Sequence, residues 1–185
     1  MHISLSHYLV DIVQNSFEAG ASSVALTLSE GERMVVCTVV DNGKGMDEAT
    51  MKRALDPFYS EEGKHRSRRF GLGLPFLRQA VDGCGGEFAL TSTVGAGTTV
   101  RFSFDLDHID SPPFGDLALA FTTLLAHPEA KVLVIKRDVV GRSGYTLDRL
   151  QLLDVLGEFE SSGSLGLLRQ YVASQEAGVH AQMSE

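Results

Sequence analysis

Leu5, Leu9, Ile12, Val13 and Phe17 form one apolar stripe at helical spacing, and the residues after them alternate apolar with polar. This switch from a 3.6-residue to a 2-residue period is the tightest constraint on the chain. A one-faced helix followed at once by strands must bury its stripe on the sheet those strands make. The spacing predicts a helix over 4–19, with Gly20 in Ala19-Gly20-Ala21 as its C-cap. Strands are expected over 23–29 (SVALTLS) and 34–40 (MVVCTVV), joined by a turn at Gly31.

The pattern then repeats with variations. Residues 47–55 read as a short helix capped by Asp47, 59–70 as a polar basic loop, and 72–81 as a helix that opens on Gly71-Leu72-Gly73-Leu74-Pro75. Strands over 87–93 and 98–106 meet at Gly95-Ala96-Gly97. The stretch DHIDSPPFG at 107–115 breaks the pattern and marks a boundary. Beyond it come a helix (115–126), strands (131–137 and 142–146) and helices (147–157 and 164–175). The expected architecture is α+β: a two-layer sandwich with helices on one face of a mixed sheet over 1–106, followed by a small α+β region over 107–185.

Composition removes several function classes. Lys and Arg number 16 against 24 Asp and Glu, a formal charge of −8, so no general nucleic-acid-binding face is expected. A hydrophobic fraction of 43% excludes whole-chain disorder. Cys37 and Cys84 are too few for a disulfide framework. The first residues lack the basic and apolar regions of a signal peptide, and the most apolar stretch, 114–125, is interrupted by Asp116, Thr122 and Thr123. It falls short of the ~20 residues that cross a bilayer. A cytoplasmic protein with no membrane association is expected.

Four short motifs carry chemistry. At about 100° per residue, Asp11, Asn15 and Glu18 share a stripe opposite the apolar face. This is either an ordinary solvated face or a functional one, in which the Asn15 amide oxygen ligates Mg²⁺ and the carboxylate one turn earlier polarises a water. In Asp41-Asn42-Gly43-Lys44-Gly45-Met46 an Asp ends an apolar strand and enters a glycine loop. The motif is a strand-ending turn or a ligand contact, since a carboxylate accepts a hydrogen bond from an exocyclic amine and glycines let a ligand approach. Gly71-Leu72-Gly73-Leu74 feeds into a helix start, where backbone amides favour anions. The basic run Lys64, His65, Arg66, Arg68 and Arg69 before it is a solvated loop or a phosphate cover. Gly95-Ala96-Gly97-Thr98 is a tight turn entering a strand.

In this combination and order, 4–106 resembles the GHKL superfamily, which includes gyrase-type topoisomerases, heat-shock chaperones, histidine kinases and mismatch-repair ATPases. Asp11-x-x-x-Asn15 is similar to its N box and Asp41-x-Gly43-x-Gly45 to its first glycine box. Asp56-Pro57-Phe58-Tyr59 is similar to the F box of histidine kinases. Gly71-Leu72-Gly73-Leu74 resembles the second glycine box, and Gly95-x-Gly97-Thr98 the closing Gly-Thr box. The resemblance implies the Bergerat fold with ATP held between helices and a lid. It implies that Asn15 binds Mg²⁺, that Asp41 recognises the adenine amino group, and that Thr98 supports that contact through water. Gly43, Gly45 and Met46 would line the base and the lid hinge. Residues 59–70 would form the lid. Phe58, Lys64, Arg68, Gly71, Leu72, Gly73 and Leu74 would complete the nucleotide contacts.

The N box of ATP-hydrolysing members has Glu where this chain has Asp11, one methylene shorter, so Asp11 is the expected general base over a longer water bridge. Asn15-Ser16-Phe17-Glu18-Ala19-Gly20-Ala21 resembles the mismatch-repair branch, whereas Phe58 and the lid resemble the kinase branch. His7, inside the N-box helix, is expected to be a surface or packing histidine rather than a phosphorylation site. Residues 107–185 hold 6 basic and 11 acidic residues and no catalytic motif. They are expected to bind a protein partner or a second copy of the chain. The implied function is Mg-ATP binding coupled to hydrolysis or to phosphoryl transfer to a protein, with the lid as a switch. The alternatives are a non-catalytic nucleotide-dependent regulator and a kinase module serving a phosphoacceptor on another chain.

Overall fold

The structure is a computed structural model that describes residues 3–57 and 73–181. In chain order the elements are α1 (Leu5–Glu18), β1 (Ser23–Glu30), β2 (Met34–Asp41), α2 (Glu48–Ala54), α3 (Gly73–Gly83), β3 (Phe88–Thr93) and β4 (Gly97–Asp105). There follow α4 (Leu117–Leu125), β5 (Val132–Val139), β6 (Tyr145–Asp148), α5 (Arg149–Leu156) and α6 (Ser162–Ala181). The α+β class and the two-layer arrangement read from the sequence are what the chain forms.

Helix α1 ends as its sequence requires. Ala19 is the C-cap, and Gly20 follows it at φ +75°. The Gly20 amide donates to Phe17 O and the Ala21 amide to Ser16 O, the paired bonds of a Schellman motif. The chain therefore turns directly into β1. At the other end, the first amides of a helix lack partners within it. Here the Leu5 and Ser6 amides donate to the carbonyls of Pro113 (2.8 Å) and Phe114 (2.9 Å), so a segment distant in sequence caps α1.

The strands build one six-stranded sheet in the order β3-β4-β2-β1-β5-β6, antiparallel except for the parallel β1–β5 pair. The alternation places Val24, Leu26 and Leu28, Val35, Cys37 and Val39, Phe102 and Phe104, and Leu133 and Ile135 in one buried cluster. The apolar stripe of α1 packs there with Leu77 and Val81 of α3, Phe121, Leu124 and Leu125 of α4, and Leu168 and Val172 of α6. Residues after 106 thus add two strands to the same sheet and side chains to the same core. Their helix α4 lies against α1.

Differences from the expected elements have local causes. Helix α6 runs further than the expected 164–175 at both ends. Gly163, Gly166 and Gly178 weaken its helical signal, but buried Leu168, Val172 and Val179 hold it. Strand β6 begins at Tyr145 because Gly141-Arg142-Ser143-Gly144 makes the turn, and Asp148 then caps α5 by accepting from the Leu150 and Gln151 amides.

One buried cation ties the later elements to the earlier ones. Arg137 of β5 is wholly buried and pairs with Glu30 at the end of β1 and with Glu176 of α6, whose carboxylate also accepts from the Tyr145 hydroxyl. Arg137 Nη1 donates to Asp138 O at 3.1 Å, and the guanidinium lies 5.7 Å from the Phe114 ring centroid. Removing one partner of such a cluster strands the others. Arg137→Ala is therefore expected to destabilise the chain by about 3–5 kcal/mol in denaturant unfolding and to increase amide exchange in α6. A loss under about 1 kcal/mol would place the cluster on the surface in energetic terms.

Candidate functional site

Strand β2 ends on Asp41, and its register with β4 sets Thr98 directly opposite. The Asp41 side chain is buried, with 9% relative exposure. Its Oδ1 accepts the Gly43 amide at 2.8 Å and the Thr98 amide at 3.2 Å, and its Oδ2 accepts the Ser16 hydroxyl at 2.8 Å. These donors favour the ionised carboxylate and fix its plane. A carboxylate has about four lone-pair positions, so one on Oδ2 stays available for a ligand donor.

The loop after Asp41 is pinned on both sides. Asn42 Oδ1 accepts the amides of Ser22 and Ser23 at 2.9 Å each. The Lys44 amide donates to Ala19 O at 3.0 Å, and Lys44 O accepts from the Gly95 amide at 2.8 Å. Two glycines here have no substitute. A Cβ on Gly45, at φ +64°, would sit 1.9 Å from Thr93 O, and one on Gly97, at φ +112°, would sit 1.9 Å from Asp41 O. The Ser92 hydroxyl bridges these turns. It donates to Gly97 O at 2.9 Å and accepts the Met46 amide at 2.8 Å, which leaves the Thr98 hydroxyl, 2.9 Å away, as donor to it.

Above Asp41 lies a cavity of about 260 Å³. Ile12, Met46, Ala54, Leu74 and Val100 give it apolar walls, and Asn15, Glu18, Lys44 and Thr98 give it polar edges. Gly45 and Gly73 also line it, while Gly43 sits behind the Asp41 carboxylate. The Asn15 side chain makes no hydrogen bond among the described residues. It can turn its amide oxygen to a hard cation, which needs few protein ligands when phosphate oxygens supply the rest. Among the described residues no cluster of three or more His, Cys, Asp or Glu could hold a metal alone.

Asp11 does not line the cavity. It stands one turn before Asn15 and abuts the first residue of α3, where a Cβ on Gly73 would lie 3.5 Å from Asp11 Oδ2. Desolvation raises its carboxyl above the ordinary value, and His7 opposes the shift. His7 itself closes the N-terminal cap of α1: its Nδ1 accepts the Ser4 amide at 3.3 Å and lies 2.5 Å from Ser4 Oγ. Thr98 meets Asp41 through its main-chain N–H, with its hydroxyl engaged by Ser92 rather than facing the carboxylate. Phe58, Lys64, Arg68, Gly71 and Leu72, with the lid expected at 59–70, lie outside the described residues.

The sequence reading missed Ser16 and Lys44. Ser16 had a signal, since it falls within the apolar stripe between Ile12, Val13 and Phe17, where a hydroxyl needs a buried partner. Lys44 had none beyond its place between two glycines.

The family model described as "Histidine kinase-, DNA gyrase B-, and HSP90-like ATPase" matches residues 2–108. The chain belongs to this ATPase family. Curated relatives include the sensor histidine kinase SpaK of Bacillus subtilis, 30% identical over 107 residues that cover 57% of this chain and 23% of that protein. Another is the sensor histidine kinase YxdK of Bacillus subtilis (strain 168), 33% identical over 90 residues, 48% of this chain and 28% of that one. The chain spans less than a third of the length of each. Among solved structures, the catalytic domain of the histidine kinase ThkA is 22% identical at a TM-score of 0.40, covering 53% of this chain and 62% of that one. Among the described residues no helix is long and apolar enough to cross a membrane.

The raised Asp11 carboxyl fixes the sign of a pH effect. A folded-state pKa above the unfolded one means that the ionised form destabilises the fold, and that this penalty vanishes once both states are protonated. Asp11→Asn should therefore raise the melting temperature at neutral pH, with the gain shrinking to nothing as pH falls below the ordinary carboxylate range. Calorimetric melts across that range check it, and a mutant less stable than wild type at neutral pH would contradict the desolvation.

Proposed function

We propose that the cavity above Asp41 binds Mg-ATP and that the chain hydrolyses it or passes its terminal phosphoryl group to a protein. The observation that carries this reading is the buried Asp41 carboxylate, held by three donors at the floor of an apolar-walled cavity with one acceptor position left. A planar base fits such walls, and its amino group satisfies the remaining lone pair. Membership of the ATPase family supports the same ligand. Asn15 would hold the Mg²⁺, which would neutralise phosphate charge in the transition state. Asp11, one turn away beside the start of α3, would take a proton from the attacking group, and its raised carboxyl suits that role near neutral pH. Segment 59–70 would close over the nucleotide, and the 107–185 region would carry the resulting change to a protein partner. A cytoplasmic setting goes with this reading.

A second reading follows from the relatives that are sensor histidine kinases. In it the same site donates the phosphoryl group to a histidine on another chain. A regulator that binds nucleotide without turnover would show affinity but no release.

Two experiments test the proposal. Asp41→Asn should weaken ATP binding by about 1.5–3 kcal/mol, the worth of a hydrogen bond to a charged group, whereas equal calorimetric affinities would sink the adenine assignment. Asp11→Asn should abolish phosphate release or labelled transfer while ATP still binds. Undiminished turnover in that mutant would remove Asp11 as the base.

A further inference from the structure

The cavity presents an electrostatic problem to the ligand proposed for it. Among its lining residues Asp41 and Glu18 are acidic, and Lys44 is the sole cation. A polyphosphate entering there meets repulsion that one ammonium is placed to offset. The position of Lys44 is set by backbone bonds on both sides, from its amide to Ala19 O at 3.0 Å and from the Gly95 amide to its carbonyl at 2.8 Å. Gly43 and Gly45, packed tightly against Ala19, Asp41 and Thr93, fix the chain before and after it. The root of the Lys44 side chain is therefore as rigid as the Asp41 carboxylate.

Its charged end is free to act. The side chain is exposed and has no hydrogen-bond or ion-pair partner among the described residues. The Lys44 backbone sits at Ala19, one helical turn from Asn15, about 6 Å along α1 at 1.5 Å per residue. An extended lysine covers a comparable distance. The ammonium can thus reach the level of Asn15 from the base end of the cavity, on the side opposite the start of α3.

We propose that Lys44 is a specificity residue for the phosphate chain of the nucleotide, its ammonium donating to phosphate oxygens near Asn15. The proposal rests on the nucleotide reading of the cavity and adds to it a residue that no motif assigns. Asp41 then selects the base by accepting, and Lys44 selects phosphorylated over unphosphorylated nucleosides by donating. Such a contact is a point charge without fork geometry, so arginine can replace it in charge. It is solvent-accessible, so salt weakens it.

The test is titration calorimetry of the full chain with ATP and with adenosine, at low and at physiological salt, for wild type, Lys44→Gln and Lys44→Arg. Lys44→Gln should bind ATP about tenfold more weakly at low salt, about the value of one charge-assisted contact. It should bind adenosine as wild type does and show a flatter salt dependence for ATP, and Lys44→Arg should recover most of the ATP affinity. Unchanged ATP affinity in Lys44→Gln overturns the proposal. So does an equal loss for adenosine, which would make Lys44 part of the base wall, and so does Lys44→Arg binding as weakly as Lys44→Gln. A wild-type chain that binds neither ligand instead overturns the nucleotide reading, and the Lys44 assignment with it.

Discussion

A buried carboxylate must be held by donors or it will not stay charged, and Asp41 sets that condition on everything around it. Its donors come from three places in the sequence: Ser16 on α1, Gly43 in its own loop, and Thr98 at the start of β4. Meeting the condition fixes the depth of α1 against the sheet, the β2–β4 register and the path of the glycine loop together. A one-residue slip of β4 would take the Thr98 amide from Asp41 and turn Phe102 and Phe104 out of the core. The polar floor of the cavity and the apolar core are thus satisfied by the same register. This coupling is why Gly45 and Gly97 tolerate no side chain: each lies where two main chains must approach closely for Asp41 to keep its partners.

The region after residue 106 takes part in that arrangement. It grips α1 at its start through the Pro113 and Phe114 carbonyls, along its length through α4, and near its end through the stack of His127 on Phe17, centroids 4.9 Å apart. Strand β5 lies parallel to β1, and Arg137 joins β1, β5 and α6 in one buried charge cluster. The helix that bears Asp11, Asn15 and Ser16 is therefore held from one side by the glycine loop and from the other by 113–148. A partner that displaces α4 or α6 would move the same helix that lines the cavity. This gives physical content to the partner role proposed for 107–185.

Much of this was legible in the sequence because it follows from period and punctuation. The stripe from Leu5 to Phe17, the alternation in 23–29 and 34–40, and the glycines at 20, 45 and 97 each have one economical structural solution. What stayed hidden depends on contacts between distant segments. Nothing local says that β5 pairs with β1, because a parallel pair needs no short turn and leaves no hairpin signature. The strap of Pro113 and Phe114 on α1 is made by carbonyls, which every residue possesses. Thr98 looked like a hydroxyl donor but contributes its amide, since strand register rather than side-chain type decides which group faces Asp41. Ser16 was readable as a polar residue within an apolar stripe, yet its partner was not.

The central claim is that Asp41 reads the exocyclic amine of adenine. The most direct measurement is the affinity of the unaltered chain for ATP against inosine triphosphate, in which a carbonyl replaces the amine while sugar, phosphates and Mg²⁺ stay the same. The account predicts a loss of about tenfold or more for inosine triphosphate, because the Asp41 oxygen loses its donor and faces a second acceptor. Equal affinity for the two nucleotides would mean that Asp41 holds the fold together without recognising the base, and would contradict the account.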